Sequence, residues 1–260
     1  MNATPHPSQK RIRAHLVGPT LIVAVLLATL FTAVRPGSIT IGDLTDQIRS
    51  ILTPQPMGNA ADVTTSRTPL RIGLVAGHLG NDSGAVCKDA NDNVTLTEQE
   101  LNLKIATLVR DRLTAKGFQV DLLQEYDTRL GGYRGVALVS IHNDSCDYIN
   151  DQATGFKVAA AMDTRDTNRA MRLTACLVDR YGRVTGLAYH AESITRDMTE
   201  YHTFSEIDPT TIAAIIETGF LNLDQDFLTG HTDLVAEGIV QGILCFVNNE
   251  NVEPTPSPIP

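Results

Sequence analysis

The sequence predicts a three-layer α/β domain with a mainly parallel central sheet flanked by helices, preceded by one N-terminal transmembrane helix. Signals for strands and helices alternate along residues 69–248, which is the pattern of βαβ units. Three short, largely apolar runs have the composition of strands buried on both faces of a parallel sheet: Ile72 to Ala76, Val136 to Ile141 and Ile212 to Ile216. Ahead of the domain, residues 16–34 carry no charge.

The N-terminal segment is predicted to anchor the chain in a membrane. A basic flank, residues 1–15, precedes residues 16–34, and an apolar helix of this length reaches about the thickness of the hydrocarbon core. Because the positive charges lie on its N-terminal side, residues 1–15 are expected in the cytoplasm and the rest of the chain outside. We therefore expect a single-pass protein of the cytoplasmic membrane with an extracytoplasmic domain. A cleaved signal peptide is the alternative, although the segment is long for one and lacks a clear A-x-A cleavage site.

The charge of the chain excludes one class of partner. The net charge is −9, and the first 35 residues contribute four positive charges and no acids, which leaves −13 for residues 36–260. A body this acidic is poorly suited to nucleic acid or to an anionic bilayer surface. The sequence therefore predicts no nucleic-acid partner.

The remaining segments outside the domain are predicted to lack a fold of their own. Residues 35–68 read as a spacer, since they contain prolines and a Thr/Ser-rich stretch without periodicity. Residues 249–260 contain four prolines and few apolar side chains, so we expect a disordered tail. The folded domain is thus assigned to residues 69–248.

Within the domain, the first strand is followed by a polar loop over residues 80–93. A helix then begins after Thr97, which forms a capping box with Glu100, and it ends at Lys116-Gly117. Further strands are predicted over residues 118–123, 136–141, 156–162 and 212–216, and further helices over residues 166–181 and 232–247. Residues 182–209 are polar and their structure stays open.

Three polar side chains each fall just past one of the three buried strands: His78, His142 and Glu217. In open α/β sheets, ligands bind outside the carboxyl ends of the strands. If the three strands are parallel neighbours, these side chains converge on one edge of the sheet. Two imidazoles and a carboxylate at one point favour a metal site.

A third metal ligand is expected near the start of the helix that follows the His78 loop. Zinc in catalytic sites commonly has three protein ligands and one open position. Glu98 and Glu100 are the two candidates. Because the capping box gives Glu100 a structural task and leaves Glu98 without one, Glu98 is preferred.

Four short motifs stand in order along the domain and cover nearly all of residues 70–247. They are Gly77-His78-Leu79-Gly80 with Gly84-Ala85, the helix start from Glu98 to Ala106, Ser140-Ile141-His142-Asn143-Asp144, and Glu217-Thr218-Gly219-Phe220-Leu221-Asn222. Together they resemble the motifs of the zinc-dependent N-acetylmuramoyl-L-alanine amidases, which hydrolyse peptidoglycan. Leu79 stands where that family has glycine, and Asp144 where it often has asparagine.

The resemblance implies a function and a set of roles. His78, Glu98 and His142 would bind Zn²⁺, which lowers the pKa of its water to about 7, and Glu217 would be the catalytic carboxylate that takes the proton from that water and passes it to the leaving amine. The substrate would be peptidoglycan, cleaved between N-acetylmuramic acid and L-alanine during wall remodelling or turnover. Two alternatives stay open: another exported zinc amide hydrolase such as a carboxypeptidase, and a non-catalytic protein that binds the wall.

The other histidines are expected to have no catalytic role. His190 and His202 lie in the polar segment of open structure, where a solvated histidine is the default and contact with substrate is the alternative. His231 is expected near the N-terminus of a helix, without function.

The four cysteines form an even set on the exported side, where disulfides can form. Cys87 and Cys146 follow the two site histidines closely, so we predict a bridge between the loops that leave the site. Free thiols and cross-pairing with Cys176 or Cys245 are the alternatives. Cys176 and Cys245 lie in predicted helices, where buried cysteines are commonly plain core residues.

Overall fold

A computed structural model describes residues 68–252 of the chain. The predicted basic flank, the transmembrane span, the spacer up to residue 67 and the tail from residue 253 lie outside the described residues. Among the helices of residues 68–252, none has both the length and the apolar character needed to cross a bilayer.

Strands and helices alternate along the described residues. The strands are β1 (Arg71–Ala76), β2 (Val86–Lys88), β3 (Val94–Thr97), β4 (Gln119–Leu123), β5 (Ala137–Asp144), β6 (Lys157–Ala160) and β7 (Ala213–Phe220). The helices are α1 (Glu98–Ala115), α2 (Thr167–Thr185), α3 (Arg196–Thr199), α4 (His202–Glu206), α5 (Gln225–Gly230) and α6 (Thr232–Val247). Single 3-10 turns occur at Thr128–Leu130 and Ala191–Ser193.

The central sheet has five strands in the order β4-β1-β5-β7-β6. Strands β4, β1, β5 and β7 are parallel, and β6 pairs antiparallel with β7 at the edge. The predicted mainly parallel sheet is confirmed. Strands β1, β5 and β7 are neighbours, so the geometric condition for a shared site at their carboxyl ends is met.

The sheet is buried on both faces. One face packs against the long helices α1, α2 and α6 through apolar side chains such as Ile105, Leu177 and Ile239. The other face is covered by a thinner layer that includes Met198 of α3 and Phe204 of α4. Three layers therefore enclose the apolar strands, as predicted. The capping box of Thr97 and Glu100 is also confirmed.

Two segments differ from the predicted elements. The loop predicted over residues 80–93 contains β2, which forms an antiparallel hairpin with β3. These strands have three and four residues, too few to show a period of two in the sequence. In the segment of open structure, residues 190–207 fold into short helices that cover the thinner side of the sheet.

Two disulfides link the four cysteines. The predicted bridge between Cys87 and Cys146 is confirmed, with Cα atoms 5.1 Å apart. The sequence leaves the pairing of Cys176 and Cys245 open, and the structure joins them, because α2 and α6 pack side by side and bring these Cα atoms within 5.7 Å. The pairing depends on a contact between helices far apart in sequence, for which the sequence carries no local signal.

The start of the predicted disordered tail is ordered. Residues 249–252 turn back onto α2, where the guanidinium of Arg180 donates hydrogen bonds to Glu250 and to the carbonyl of Asn251. Val252 packs against the core. These contacts contradict the predicted start of disorder at residue 249.

Candidate metal centre

The carboxyl edge of the sheet carries a row of side chains on one face. Glu217 of β7 pairs in register with His142 of β5 on one side and with Lys157 of β6 on the other. Residues directly opposite in a sheet point to the same face. Both residues were predicted to fall just past the ends of their strands. The structure instead places His142 within β5 and Glu217 within β7. Backbone pairing continues through both residues although their side chains are polar. The predicted strand ends were placed where the apolar run stops, so they came too early.

His78 lies in the turn after β1. Its backbone has φ 65°, a left-handed conformation that non-glycine residues seldom adopt. The backbone N–H donates to Oε2 of Glu125 over 2.7 Å, and Nδ1 lies 2.6 Å from Oδ1 of Asp82. With Nδ1 facing Asp82, Nε2 faces Oε2 of Glu98 at 3.2 Å. The hydrogen bond to Glu98 and the nearby Asp82 carboxylate raise the pKa of His78 to about 9, against the effect of its burial.

Glu98 is the first residue of α1, and its carboxylate is held by donors from three elements. Oε2 accepts from the backbone N–H of Ala85 at 3.0 Å. Oε1 accepts from the backbone N–H of Asn143 at 3.1 Å and from Nδ2 of Asn102 at 3.2 Å. The donors fix the orientation of a buried carboxylate before any ligand binds.

The structure brings Glu98, and not Glu100, to the two histidines. Glu100 accepts a hydrogen bond from the backbone of Thr97 and remains at the cap. Burial alone would raise the pKa of Glu98, but the hydrogen bonds from His142 and His78 lower it below its ordinary value, so the carboxylate is charged.

His142 is almost fully enclosed. Its Nδ1 lies 3.2 Å from Oε1 of Glu98, and its Nε2 lies 3.3 Å from the hydroxyl of Tyr201. Burial lowers the pKa of His142, and the Glu98 hydrogen bond together with the charges of Glu217 and Glu125 outweighs that effect and raises it.

The three side chains are arranged to hold a metal ion. Ligand atoms of His78, Glu98 and His142 all lie within 4.8 Å of one another, and they form the metal-binding cluster found among residues 68–252. Two imidazoles and one carboxylate are a ligand set of catalytic zinc sites. Two ligands of a tetrahedral zinc ion, each about 2.0–2.1 Å from it, lie roughly 3.3–3.4 Å apart. Nε2 of His78 lies 3.2 Å from Oε2 of Glu98, and Nδ1 of His142 lies 3.2 Å from Oε1. Each distance is close to this spacing, so the donor set fits zinc.

Two glycines of the sequence motifs make room for these ligands. A Cβ at Gly77 would lie 2.3 Å from Cε1 of His142, and a Cβ at Gly84 would lie 2.5 Å from Oε2 of Glu98. Gly84 also has φ +59°, which favours glycine. The glycines thus permit the close approach of backbone and ligand that the site requires.

A buried chain of hydrogen-bonded side chains, formed by Asn102, Asn143 and Thr218, lies next to the ligands. Nδ2 of Asn143 donates to Oδ1 of Asn102 at 2.7 Å, and the hydroxyl of Thr218 donates to Asn143. Nδ2 of Asn102 also donates to the carbonyl of Gly77 at 3.1 Å. The chain ties α1 to β5, β7 and the turn that carries His78.

Glu217 differs from Glu98 and Glu125 in having a buried oxygen without a partner. Among residues 68–252, its Oε2 finds no hydrogen-bond partner. Burial raises the pKa of Glu217 to about 7; the Glu98 charge adds to this effect, and His142 and Lys157 oppose it. A carboxyl group of this kind can accept and release a proton near neutral pH.

Asp144, which departs from the family pattern, is paired with a buried cation. The ammonium of Lys157 donates to Asp144 and lies 5.2 Å from the centre of the Phe220 ring. Lys157 is only 5 % exposed. The pair explains how a carboxylate is accommodated at this position.

Two site residues were missed by the sequence analysis, Glu125 and Tyr201, and both lie beside His202, which the sequence analysis had named. Glu125 is buried, and it accepts from the Tyr201 hydroxyl at 2.7 Å and from Nε2 of His202 at 2.9 Å. Burial alone would raise the pKa of Glu125, but hydrogen bonds from His202 and Tyr201 lower it to about 2. Burial, followed by the Glu125 charge, raises the pKa of Tyr201, so its hydroxyl stays protonated.

One of these residues had a usable signal. Glu125 follows the end of β4, at the same sheet edge as His78, so the reasoning that selected His78 applies to it as well. No comparable signal marks Tyr201.

The remaining histidines lie outside the ligand cluster. The expectation that His190 and His202 are solvated is wrong, since both are half-buried. The ring nitrogens of His190 contact the Ser193 hydroxyl at 2.7 Å and the Gln152 carbonyl at 3.0 Å. His231 precedes α6 as predicted, and its ring lies against that of Phe227.

The chain resembles known proteins in sequence and in fold. The family model described as N-acetylmuramoyl-L-alanine amidase matches residues 72–245. No curated protein matches the chain.

Solved structures share the fold. An N-acetylmuramoyl-L-alanine amidase from Clostridium difficile 630 is 24% identical, with a TM-score of 0.56 over 71% of this chain and 100% of its own. The CwlD amidase from Clostridioides difficile, solved in complex with the GerS lipoprotein, is 20% identical, with a TM-score of 0.54 over 70% of this chain and 100% of its own. The amidase Ami1 from Mycobacterium smegmatis is 16% identical, with a TM-score of 0.53 over 70% of this chain and 98% of its own. At these identities the likeness concerns the fold.

Proposed function

The chain belongs to the N-acetylmuramoyl-L-alanine amidase family, and we propose that it is a zinc-dependent hydrolase of peptidoglycan that acts in wall remodelling or turnover. The bond cleaved is the amide between the lactyl group of N-acetylmuramic acid and the L-alanine of the stem peptide. The observation that carries the proposal is the convergence of His78, Glu98 and His142 at the sheet edge that also presents Glu217.

In this proposal His78, Glu98 and His142 hold the zinc ion. When bound there, zinc supplies Lewis-acid chemistry, which polarises a carbonyl and makes water nucleophilic near neutral pH. The three side chains fit this task because their ligand spacing suits zinc and because the Glu98 oxygens are already oriented by backbone donors.

Glu217 is assigned the proton transfers. Its side chain lies one strand from His142 on the same face of the sheet, and within the described part of the chain its Oε2 has no hydrogen-bond partner. Because burial raises its pKa to about 7, the carboxylate is suited both to accept a proton from the attacking water and to return it to the leaving amine.

Product analysis tests this function against the two alternatives. Purified peptidoglycan is incubated with the full-length protein, and the soluble products are identified by mass spectrometry. The amidase releases peptides that begin with a free L-alanine amine, and a chelator abolishes the release until zinc is restored. A carboxypeptidase would instead release single D-amino acids from the carboxyl end, and a wall-binding protein would release nothing.

We also propose that the domain works outside the cytoplasm, held by the N-terminal segment. The disulfides Cys87–Cys146 and Cys176–Cys245 support this, because such bridges persist in oxidising compartments. Protease added to intact spheroplasts should remove the domain and spare the N-terminus. A soluble mature form that begins near Val34 would contradict the anchor.

A further inference from the structure

Glu125 lies between the two histidine ligands, and its Oε2 is 3.8 Å from Nε2 of His142. Its Oε2 accepts the backbone N–H of His78 at 2.7 Å. Its Oε1 accepts a hydrogen bond from the Tyr201 hydroxyl at 2.7 Å, and the oxygen of that hydroxyl lies 3.3 Å from Nε2 of His142. Glu125 is thus bonded directly to one ligand residue and through Tyr201 to the other.

The contact with His78 stabilises an unfavourable backbone. His78 has φ 65°, and the hydrogen bond from its N–H to Glu125 is charge-assisted and short. Such conformations persist where the surrounding structure fixes them. Without the carboxylate, the turn that directs Nε2 of His78 toward Glu98 would lose this contact.

The contact through Tyr201 sets the state of the His142 ring. Because the Tyr201 O–H donates its hydrogen bond to Glu125, the hydroxyl oxygen is left to accept a hydrogen bond from Nε2–H of His142. The lone pair of a neutral imidazole is then on Nδ1, the atom that faces Glu98. Ligating histidines commonly donate their second ring N–H to an acceptor in this way.

The relay is built from a segment that otherwise packs on the sheet. Tyr201 lies between α3 and α4, whose Met198 and Phe204 are buried against the thinner face. The next residue, His202, donates from Nε2 to Glu125 and contacts Glu206 through Nδ1. The apolar packing of these two helices thus positions the Tyr201 hydroxyl beside the metal centre, and the hydrogen bond from His202 holds the Glu125 carboxylate in place.

We propose that Glu125 and Tyr201 are positioning residues of the metal centre: Glu125 fixes the backbone of His78, and Tyr201 fixes the tautomer and orientation of the His142 ring. The inference rests on the proposed zinc-dependent function. It goes beyond that function because it assigns residues outside the ligand set, from segments in which no motif had been found.

Zinc affinity is the readout that tests the assignment. The variant Tyr201→Phe removes the hydroxyl and keeps the ring. We expect zinc to bind roughly 10–100-fold more weakly to the full-length variant in competition with a chelating dye, while the zinc-free variant still unfolds in one cooperative transition. With zinc in excess, kcat should fall more than KM rises, because the proposal places both residues behind the ligands and gives neither a contact with substrate.

Tyr126→Phe is the matched control, since Tyr126 is exposed and its ring lies 4.2 Å from that of His202. This control should bind zinc like the wild type. If it weakens zinc binding as much as Tyr201→Phe does, the relay is overturned.

Glu125→Gln provides a second variant of the same relay and decides the matter alone if Tyr201→Phe fails to fold. Zinc affinities within twofold of the wild type for the folded variants would overturn the inference.

The outcomes separate this inference from the proposed function. A wild-type chain that binds zinc but releases no L-alanine peptide from peptidoglycan would end the proposed function, whereas a weakened Tyr201→Phe site would still support the positioning role. A wild-type chain that binds no zinc would overturn both.

Discussion

The imidazole of His142 lies directly against the backbone of Gly77. A methyl group at position 77 would approach Cε1 of the ring to 2.3 Å and Nε2 to 2.4 Å. The ring cannot move away freely, because its two nitrogens face Glu98 and Tyr201. Position 77 must therefore be glycine so that the His142 ring can occupy its place in the site.

Gly77→Ala should damage the metal centre more than the fold. We expect at least about a tenfold loss of zinc affinity, since displaced ligands typically cost that much. Gly230→Ala is the control, because a Cβ at Gly230 would meet no atom within 4 Å. Chelator competition on both proteins checks the prediction, and unaltered affinity in Gly77→Ala would refute the steric account.

Substitution of Glu98 and of Glu100 should have different effects, because the first is the proposed ligand and the second belongs to the helix cap. Glu98→Ala removes a carboxylate that faces both histidines, so zinc binding should be lost or greatly weakened. Glu100→Ala removes one half of the capping box and should lower the free energy of unfolding by about 0.5–2 kcal/mol with zinc binding intact. Metal analysis and urea unfolding of both variants decide; the assignment fails if Glu100→Ala is the variant that loses zinc.

The two disulfides should differ in their effect on the site. Cys87 and Cys146 are 59 residues apart, and the chain-entropy model gives their bridge roughly 4 kcal/mol of stability. The bridge joins the β2–β3 hairpin to the loop after β5. The double substitution Cys87→Ala/Cys146→Ala should therefore lower both the free energy of unfolding and zinc affinity.

Cys176→Ala/Cys245→Ala is the matched control for that prediction. Its bridge has a similar sequence separation of 69 residues but joins α2 to α6, which do not carry the ligands. It should lower stability by a similar amount and leave zinc affinity unchanged. Equal losses of zinc affinity in the two double variants would contradict the account.

Asp127 should contribute stability that depends on pH. It caps the turn at Thr128–Leu130 and accepts from the backbone and side chain of Arg129, which chiefly lowers its pKa to about 2. A carboxylate whose pKa is lowered in the folded state stabilises the fold above its ordinary pKa near 4. This contribution should disappear as the pH falls from about 4 to about 2.

The variant Asp127→Asn checks this in unfolding experiments on protein with zinc chelated. It should be about 0.2–1 kcal/mol less stable at pH 7, because the lost ion pair with Arg129 is partly exposed, and it should converge with the wild type near pH 2. Asp163→Asn is the control, because the exposed Asp163 makes no hydrogen bond or ion pair among the residues the structure describes. A constant difference between Asp127→Asn and wild type from pH 7 to pH 2 would refute the prediction.

The part of the site that the sequence predicts is the part governed by local pattern. Apolar runs identify β1, β5 and β7, and the geometry of parallel sheets then brings His78, His142 and Glu217 to one edge. Glu98 is predicted as the third ligand because it lies in the first turn of the helix and the capping box already engages Glu100.

The parts that were missed depend on contacts between distant segments. Tyr201 and Glu125 are 76 residues apart, and they meet because short helices without periodicity pack on the sheet. Cys176 and Cys245 meet because α2 lies beside α6. Neither contact has a signal in the composition or spacing of the residues that make it.

The most direct test of the account compares wild type and Glu217→Gln on purified peptidoglycan, both loaded with zinc and assayed for peptides with a free N-terminal L-alanine. Because a glutamine cannot accept the proton, the variant should retain zinc and lose at least about 100-fold of the turnover. Release of L-alanine peptides at similar rates by both proteins, or by neither, would contradict the assignment of this site as a zinc amidase with Glu217 as its base.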